Sequence, residues 1–277
     1  MSAESGRRLL GMWLARVGGA IVLVVLAAAV LAIFWTPYSP TQQDIRNLLK
    51  APSLTHPLGT DELGRDTLTR AMFGAQASLE VGIIAVGISL FAGSALGLVS
   101  GYLRGFTDAV IMRIMDGLLA LPTLVLALAI TAMLGPSLNN AMLAIGVTGV
   151  PIFARLVRGQ VLSIRELDYI QAARSLGAGD VRTMLTHVLP NVLAPIVVQA
   201  SLAMPTAILA EAGLSFLGLG VQPPTPSWGA MLNTAKGYLQ QDAWLAVAPG
   251  TAIFVTVLGF NFLGDAIRDA LDPRLRT

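Results

Sequence analysis

The residues most often used for catalysis and metal binding are scarce in this chain of 277 residues. It has no cysteine, which excludes disulfides, thiolate nucleophiles, zinc–thiolate sites and iron–sulfur ligation. Its two histidines, His56 and His187, fall on opposite sides of a membrane in the topology predicted below, so they cannot serve one site. No lysine follows a glycine, so the phosphate-binding loop G-x-x-x-x-G-K-[ST] is missing. We therefore predict no catalytic residue, no metal site and no cofactor on this chain.

The composition is that of a membrane protein. Apolar residues make up 55% of the chain and charged residues 12%, whereas a soluble domain carries about a quarter of its residues as charged types. The mean hydropathy is +0.71. Basic residues exceed acidic ones by only 18 to 16, which gives no indication of a nucleic-acid partner. We expect the lipid bilayer to be the main surroundings of the chain.

Six uncharged stretches approach or reach the roughly 20 residues that a membrane-spanning helix needs. The predicted fold class is therefore an all-α polytopic membrane protein with six transmembrane helices. Gly135-Pro136 predicts a tight turn between the third and fourth spans. Gly87, Gly93 and Gly97 predict a small-residue face for close helix packing in the second span. The six stretches are residues 17–35, 81–103, 117–134, 135–154, 188–210 and 243–264.

Basic residues set the predicted orientation, because lysine and arginine stay on the cytoplasmic side. With the N-terminus inside, 13 of the 18 basic residues face the cytoplasm and five face outward. We predict that both termini are cytoplasmic, with 1–16 as the N-terminal segment and 17–35 as the first helix. Residues 36–80 form an extracytoplasmic segment and 81–277 a core of five helices. Arg7-Arg8 before an apolar run also fits a cleaved signal, but five further spans favour a retained helix.

The long inner loop, residues 158–190, is predicted to contain two helices. The first runs from Asp168, as its cap, to Leu176 and ends at Gly177. Asp180 would cap a second helix that stops before Pro190. An amphipathic connector lying on the membrane is the alternative, although a helix of about nine residues is marginal in water and needs a partner surface.

Ionisable residues near membrane depth are the remaining candidates for function. Arg113 and Asp116 are spaced to pair on one helix face. Glu211 follows the fifth span at its outer mouth, where its carboxylate could meet a positively charged group; capping the next short helix is the alternative. Asp66 is predicted to cap a helix at the end of the outer segment, and Trp228 to lie at headgroup level.

Several motifs together resemble a known family. Gln171-Ala172-Ala173, Gly177 and Leu189-Pro190 resemble the EAA loop of bacterial ABC importer permeases, with Gln171 where the family name has Glu. Residues 56–66, residues 215–229 and Asp272-Pro273-Arg274 are similar to the C-type permease subunit of dipeptide, oligopeptide and nickel importers. The likeness covers nearly the whole chain and implies the type I ABC importer transmembrane fold in a bacterial cell membrane.

The resemblance also implies partners and a mechanism. A homologous B-type permease would form a heterodimer with this chain around the substrate path. Two ATPase domains, separate or fused, would bind ATP and magnesium, and an extracytoplasmic substrate-binding protein would deliver peptide. Coupling to the ATPase is expected at Asp168, Tyr169, Gln171, Ala172, Ala173, Arg174, Leu176 and Gly177. The path is expected at Met204, Pro205 and Glu211, and the binding-protein contact at Gly59, Asp61, Arg65, Asp66, Gln222 and Trp228.

Three other functions fit the sequence less well than a peptide importer does. The same kind of importer could carry nickel or another small solute, because the binding protein selects the cargo. An ion-coupled secondary transporter would need buried ionisable groups near the midplane, and these spans have almost none. An intramembrane protease would need a Ser/His pair or two aspartates at one depth, and neither is present.

Overall fold

The computed structural model of the protein describes residues 12–271, with the backbone alone at Arg174. This part of the chain is helical and contains no strand, and an isolated β-bridge joins Thr60 to Asp66. The helices are α1 (Trp13–Phe34), α2 (Thr67–Leu103), α3 (Gly105–Leu119), α4 (Thr123–Leu134), α5 (Leu138–Ile164), α6 (Asp168–Ser175), α7 (Asp180–Thr183), α8 (Leu189–Phe216), α9 (Trp228–Ala235) and α10 (Trp244–Leu271). A 3₁₀ turn (Ile45–Asn47) precedes α2, and a π-helical turn (Met184–Val188) joins α7 to α8.

The predicted all-α polytopic fold is confirmed. Helices α1, α2, α5 and α10, and the continuous rod from α7 to α8, are each long and apolar enough to cross a membrane. The bent pair α3–α4 would make a sixth span. Helices suit this environment because every backbone polar group finds its partner within the segment, without water.

The third predicted span, residues 117–134, is not one straight helix, and that expectation is wrong. Helices α3 and α4 meet at an angle of 91°. Pro122 lies at the break as the residue before α4, where it donates no backbone hydrogen bond and keeps the residue before it out of a helical conformation. The 12 residues of α4 reach only about 18 Å, well short of the roughly 30 Å hydrocarbon core.

The second predicted span begins earlier than residue 81. The side chain of Asp66 accepts a hydrogen bond from the backbone N–H of Thr69 at 2.8 Å, so the predicted cap is confirmed. The helix that it caps is α2 itself, which continues unbroken to Leu103. The helix predicted at the end of the outer segment and the second predicted span are therefore one continuous helix.

The second helix of the inner loop also differs from its prediction. Gly179, and not Asp180, is the residue before α7, and the helix does not stop at Pro190. The π-helical turn instead carries the chain into α8, so one rod runs from Asp180 to Phe216. The wider turn comes just before Pro190, where a regular turn would press the proline ring against the carbonyl of Thr186.

Helices α2 and α5 pack against each other more extensively than any other pair, through glycines. A Cβ atom at Gly93 would lie 2.6 Å from the carbonyl oxygen of Val150, and one at Gly97 would meet the carbonyl oxygen of Ala154. Gly101 makes the same kind of approach to α5, whereas nothing lies within 4 Å of a Cβ at Gly87. The small-residue face is thus confirmed for Gly93 and Gly97 but wrong for Gly87.

The largest apolar core lies between α2, α5 and α8. Its fully buried members include Val81, Phe153, Val157, Val192 and Ile196. Helix α1 packs mainly against α10 and less against α2. The bundle therefore has a central three-helix core that holds α8 in place.

We expect Gly97→Ala to destabilise the protein by about 1–3 kcal/mol, because the added methyl group meets backbone that cannot move aside. The matched variant Gly87→Ala should be neutral or stabilising by up to about 1 kcal/mol. It replaces a glycine, which disfavours a helix, with alanine, and the added methyl group meets no neighbour within 4 Å. Thermal unfolding in detergent, followed by size-exclusion chromatography, measures both. Equal midpoints for the two variants would contradict the packing role of Gly97.

Candidate coupling and translocation sites

The short helix α6 in the inner loop ends as the sequence predicts. Gly177 has φ +88°, the left-handed conformation that glycine adopts at low cost. The backbone N–H of Ala178 donates to the carbonyl of Ala173 at 3.0 Å, as in a Schellman motif. Asp168 lies in the first helical turn and is not the cap that was predicted. Its carboxylate still favours the positive N-terminal end of the helix dipole.

One face of α6 is attached to the rest of the chain. Ile170 is fully buried and belongs to the same core cluster as Val188 and Val192, at the start of the α8 rod. The hydroxyl of Tyr169 accepts a hydrogen bond from the side-chain amide of Asn191 at 3.1 Å. Helix α6 therefore contacts the start of the rod directly, through Ile170 and Tyr169.

The other face of α6 is open. Leu176 is 89% exposed and Tyr169 is 46% exposed. Asp168, Gln171, Ala172 and Gly177 are also exposed, and Ala173 is partly buried. The side chain of Arg174 lies outside the described part of the chain. An exposed leucine and tyrosine beside small alanines form a surface that another protein can contact closely.

The ends of the inner loop are tied to α2 by contacts that sequence analysis missed. Tyr102 donates from its hydroxyl to Asp180 at 3.0 Å and accepts at its carbonyl from Arg165. Arg104 pairs with Glu166 at 2.5 Å. The arginine-rich pattern of the loop indicates such pairs, but their partners are more than 60 residues away and cannot be found from spacing.

The predicted pair of Arg113 with Asp116 is wrong. Asp116 pairs with Arg155 of α5 at 2.6 Å. Asp108 makes a bidentate pair with Arg158, at 2.6 and 2.7 Å, and also accepts from Ser100. The two arginine pairs join α3 to α5, and the contact of Ser100 joins α2 to α3.

A cavity of about 360 Å³ opens between α2, α4, α5 and α8. No charged side chain lines it among the described residues. Most of its lining is apolar, and its polar members are hydroxyls and one amide: Ser89, Thr123, Thr148, Gln199 and Thr206. The cavity can therefore hold a hydrated or neutral group without binding a particular charge tightly.

The predicted path residues of α8 lie elsewhere. Pro205 is buried, and Met204 contacts α2 beside Gly82, on a different face of α8 from the cavity. The cavity is reached instead by Gln199, Ala203 and Thr206, which recur at helical spacing on one face. The recurrence of polar and small residues on this face of α8 was the sequence signal that could have identified the residues lining the cavity.

Glu211 is fully buried, so it does not lie at an open mouth. Its carboxylate accepts from Ser215 at 2.6 Å and from Ser78 at 3.5 Å, and Ser227 lies beside it. It does not cap the next helix either, since the side chain of Ser227 caps α9. Glu211 instead joins α2, α8 and the start of α9 within the protein.

Most of the residues expected to contact a binding protein lie in the interior of the chain. Gly59, Asp61, Arg65, Asp66 and Trp228 are all buried, so their own side chains do not form an exposed surface, and the contact itself stays a prediction. Trp228 is buried against α2, where its indole nitrogen donates to the carbonyl of Ala71 at 2.9 Å. Gln222 is exposed and remains a predicted contact.

Asp61 lies at the centre of a group of buried ion pairs in the outer segment. Its carboxylate accepts from the side chain of Arg65 at 2.6 Å and lies 3.2 Å from Nε of Arg70. His56 pairs with Asp66 at 2.9 Å beside this centre. No group of three potential metal-ligating side chains occurs within residues 12–271.

Glu62 lies at the edge of this centre, outside the helices. Burial raises the pKa of Glu62, and the charge of Asp61 raises it further, whereas Arg65 and Arg70 lower it. A carboxyl group with a raised pKa binds its proton more readily in the folded chain than in the unfolded chain. Its contribution to stability is therefore largest at acidic pH and is lost as the pH rises.

Two family models match the chain. Residues 93–277 match "binding-protein-dependent transport system inner membrane component", and residues 2–52 match "N-terminal TM domain of oligopeptide transport permease C". A dipeptide transport system permease protein of Alkalihalophilus pseudofirmus is 47% identical over 95% of this chain and 87% of its own length. A glutathione transport system permease protein of Pectobacterium atrosepticum is 44% identical over 99% and 91%. A di/tripeptide transport system permease protein of Pseudomonas aeruginosa is 46% identical over 92% and 86%.

We expect Glu211→Leu to destabilise the protein by about 1–3 kcal/mol, because buried serine hydroxyls lose their acceptor. Glu80→Leu is the matched control, since Glu80 is exposed and should change the unfolding midpoint little. Thermal unfolding in detergent compares the two variants. A Glu211→Leu midpoint equal to that of the unmodified protein would show that the carboxylate does not hold the helices together.

Proposed function

The chain belongs to the family of binding-protein-dependent transport system inner membrane components, and we propose that it is a permease subunit of an ATP-driven importer of dipeptides and other short peptides. The family is a non-catalytic, multi-pass component of the bacterial inner membrane. The peptide cargo is proposed because the relatives described above are named for dipeptide, di/tripeptide and glutathione transport.

The proposed partners follow from the family. A permease of a binding-protein-dependent system works with other components of that system. We propose a homologous permease as the second half of the path, two ATPase domains that bind ATP and magnesium, and an extracytoplasmic binding protein. The excess of basic residues near α6 supports an orientation with α6 and both termini in the cytoplasm.

The observation that carries the mechanism is the two-faced packing of α6. Its exposed face, with Leu176, Tyr169 and Ala172, is proposed to dock on an ATPase domain. Its buried residue, Ile170, packs with the start of the rod that continues as α8. Movement of the ATPase would reach the cavity along this rod. Such coupling requires that the contact differ in energy between inward and outward states.

The cavity between α2, α4, α5 and α8 is proposed as this chain's half of the translocation path. Its hydroxyl and amide groups can exchange hydrogen bonds with a moving peptide, and its uncharged lining would not hold either terminus of a zwitterion. A path without a strong site suits transport, because cargo that binds tightly does not leave.

Gly177→Val should uncouple transport. A β-branched residue at φ +88° is strained by about 1–2 kcal/mol or more, and it thickens the exposed face of the loop. Gly179→Val is the matched control, because Gly179 has φ −67° and open space around it. Peptide uptake and stimulation of ATP hydrolysis are measured in liposomes containing the assembled transporter. Uptake by the Gly177 variant at the control level would refute the proposed coupling.

Thr206→Trp should obstruct the path. Thr206 is an exposed residue on the cavity wall, and an indole there would fill space that a peptide needs. We expect uptake in the same liposomes to fall at least tenfold while the complex still assembles. Val197→Trp is the control, since Val197 is an exposed α8 residue away from the cavity. Equal uptake by both variants would exclude the cavity as the path.

A further inference from the structure

A second cavity, of about 260 Å³, lies between the outer segment and the region around α9. This space is large enough for a molecule the size of a small dipeptide. Its lining differs from that of the first cavity because it includes Glu62, Arg65 and Arg70. Asn233 and Thr234 of α9 complete the opposite wall.

Arg70 has unused hydrogen-bonding capacity in this cavity. It is 94% buried, donates one hydrogen bond from Nη1 to the carbonyl of Pro40 at 3.1 Å, and pairs through Nε with Asp61. A guanidinium has five N–H donors, so several of them have no acceptor within residues 12–271. Their fork geometry matches a carboxylate.

Glu62 provides the complementary group. One oxygen, Oε1, accepts from Arg65 at 2.7 Å, while Oε2 is buried and has no hydrogen-bond partner among residues 12–271. The terminal bond of a glutamate rotates with little restriction, so either oxygen can turn toward a donor in the cavity. An unpaired buried carboxylate oxygen costs free energy that such a donor would recover.

The charges limit the ligand further. With Glu62 ionised, Asp61 and Glu62 balance Arg65 and Arg70, so this group of four side chains is neutral. A ligand with a net charge would leave that charge uncompensated in a buried site, whereas a zwitterion would not. A free carboxylate and a free ammonium group on one small molecule satisfy both unused partners.

We propose that this cavity is a binding site for a zwitterionic amino acid or small dipeptide, with Arg70 binding the carboxylate and Glu62 the ammonium group. The site is separate from the uncharged cavity between α2, α4, α5 and α8. Only the choice of a peptide as ligand rests on the proposed function, since the binding itself involves no transport.

The test titrates the assembled transporter in nanodiscs with dialanine by calorimetry, without ATP and without binding protein. N-acetyl-dialanine lacks the ammonium group and dialanine amide lacks the carboxylate. We expect each to bind about tenfold or more weakly than dialanine, since each loses a charge-assisted hydrogen bond. Absence of dialanine binding, or equal binding of all three compounds, would overturn the proposal.

Substitutions test which residue binds the carboxylate and which binds the ammonium group of the ligand. Arg70→Gln should abolish the preference for dialanine over its amide, and Glu62→Gln the preference over the acetylated compound. Asn233→Phe fills the cavity without altering the ion pairs and should abolish binding even if the charge variants fail to fold. Arg46→Gln is the control, because Arg46 is an exposed residue of the same outer segment. Unchanged dialanine binding by Asn233→Phe would refute the site.

Further measurements separate this site from the proposed function. Loss of dialanine binding in Asn233→Phe with normal uptake would support a site outside the transport path. Absence of uptake by the unmodified transporter, with dialanine still bound, would refute the proposed function alone. If Arg70→Gln weakens capture of the binding protein while dialanine never binds, the cavity receives a side chain of that protein and our proposal is wrong.

Discussion

The close crossing of α2 and α5 is the contact on which the rest of the bundle depends. Glycines at 93, 97 and 101 bring the two backbones together. Inside a membrane no hydrophobic effect drives helices together, so the dispersion energy of such close backbone contacts stabilises the pair. The pair forms two sides of the central core, and α8 completes it. The cavity between α2, α4, α5 and α8 lies beside this core, so the same contacts hold the walls of the cavity in place.

The rod from Asp180 to Phe216 connects the two ends of the molecule. Ile170 packs at its start, the cavity lies along its middle, and Glu211 is buried near its end. Three prolines and a π-helical turn interrupt its regular hydrogen bonding. These interruptions are places where a helix bends at low cost, so motion at one end of the rod need not move the whole of it equally.

Two glutamates near the Phe216 end of this rod differ in how their carboxylate oxygens are hydrogen-bonded. Glu211 is surrounded by serine hydroxyls and holds helices together. Glu62 keeps an oxygen without a partner beside a cavity that also contains an underused arginine. Buried polar groups are normally satisfied, which is why the second arrangement points to a ligand and the first does not.

The helical membrane architecture, the family resemblance and the glycine turn that follows α6 could be predicted from the sequence, because hydropathy, basic residues and glycine conformation act over short stretches of chain. The three-dimensional structure was needed for the partner of Asp116 and for the burial of Trp228 and Glu211, because these residues meet segments more than 30 residues away. The bend at Pro122, the continuous rod through Pro190 and the burial of Asp61 arise within shorter stretches, where a proline or a charged residue is compatible with more than one backbone path. Local pattern identifies a polar residue near a membrane end, but the packing of distant helices decides whether it faces water, cargo or the protein interior.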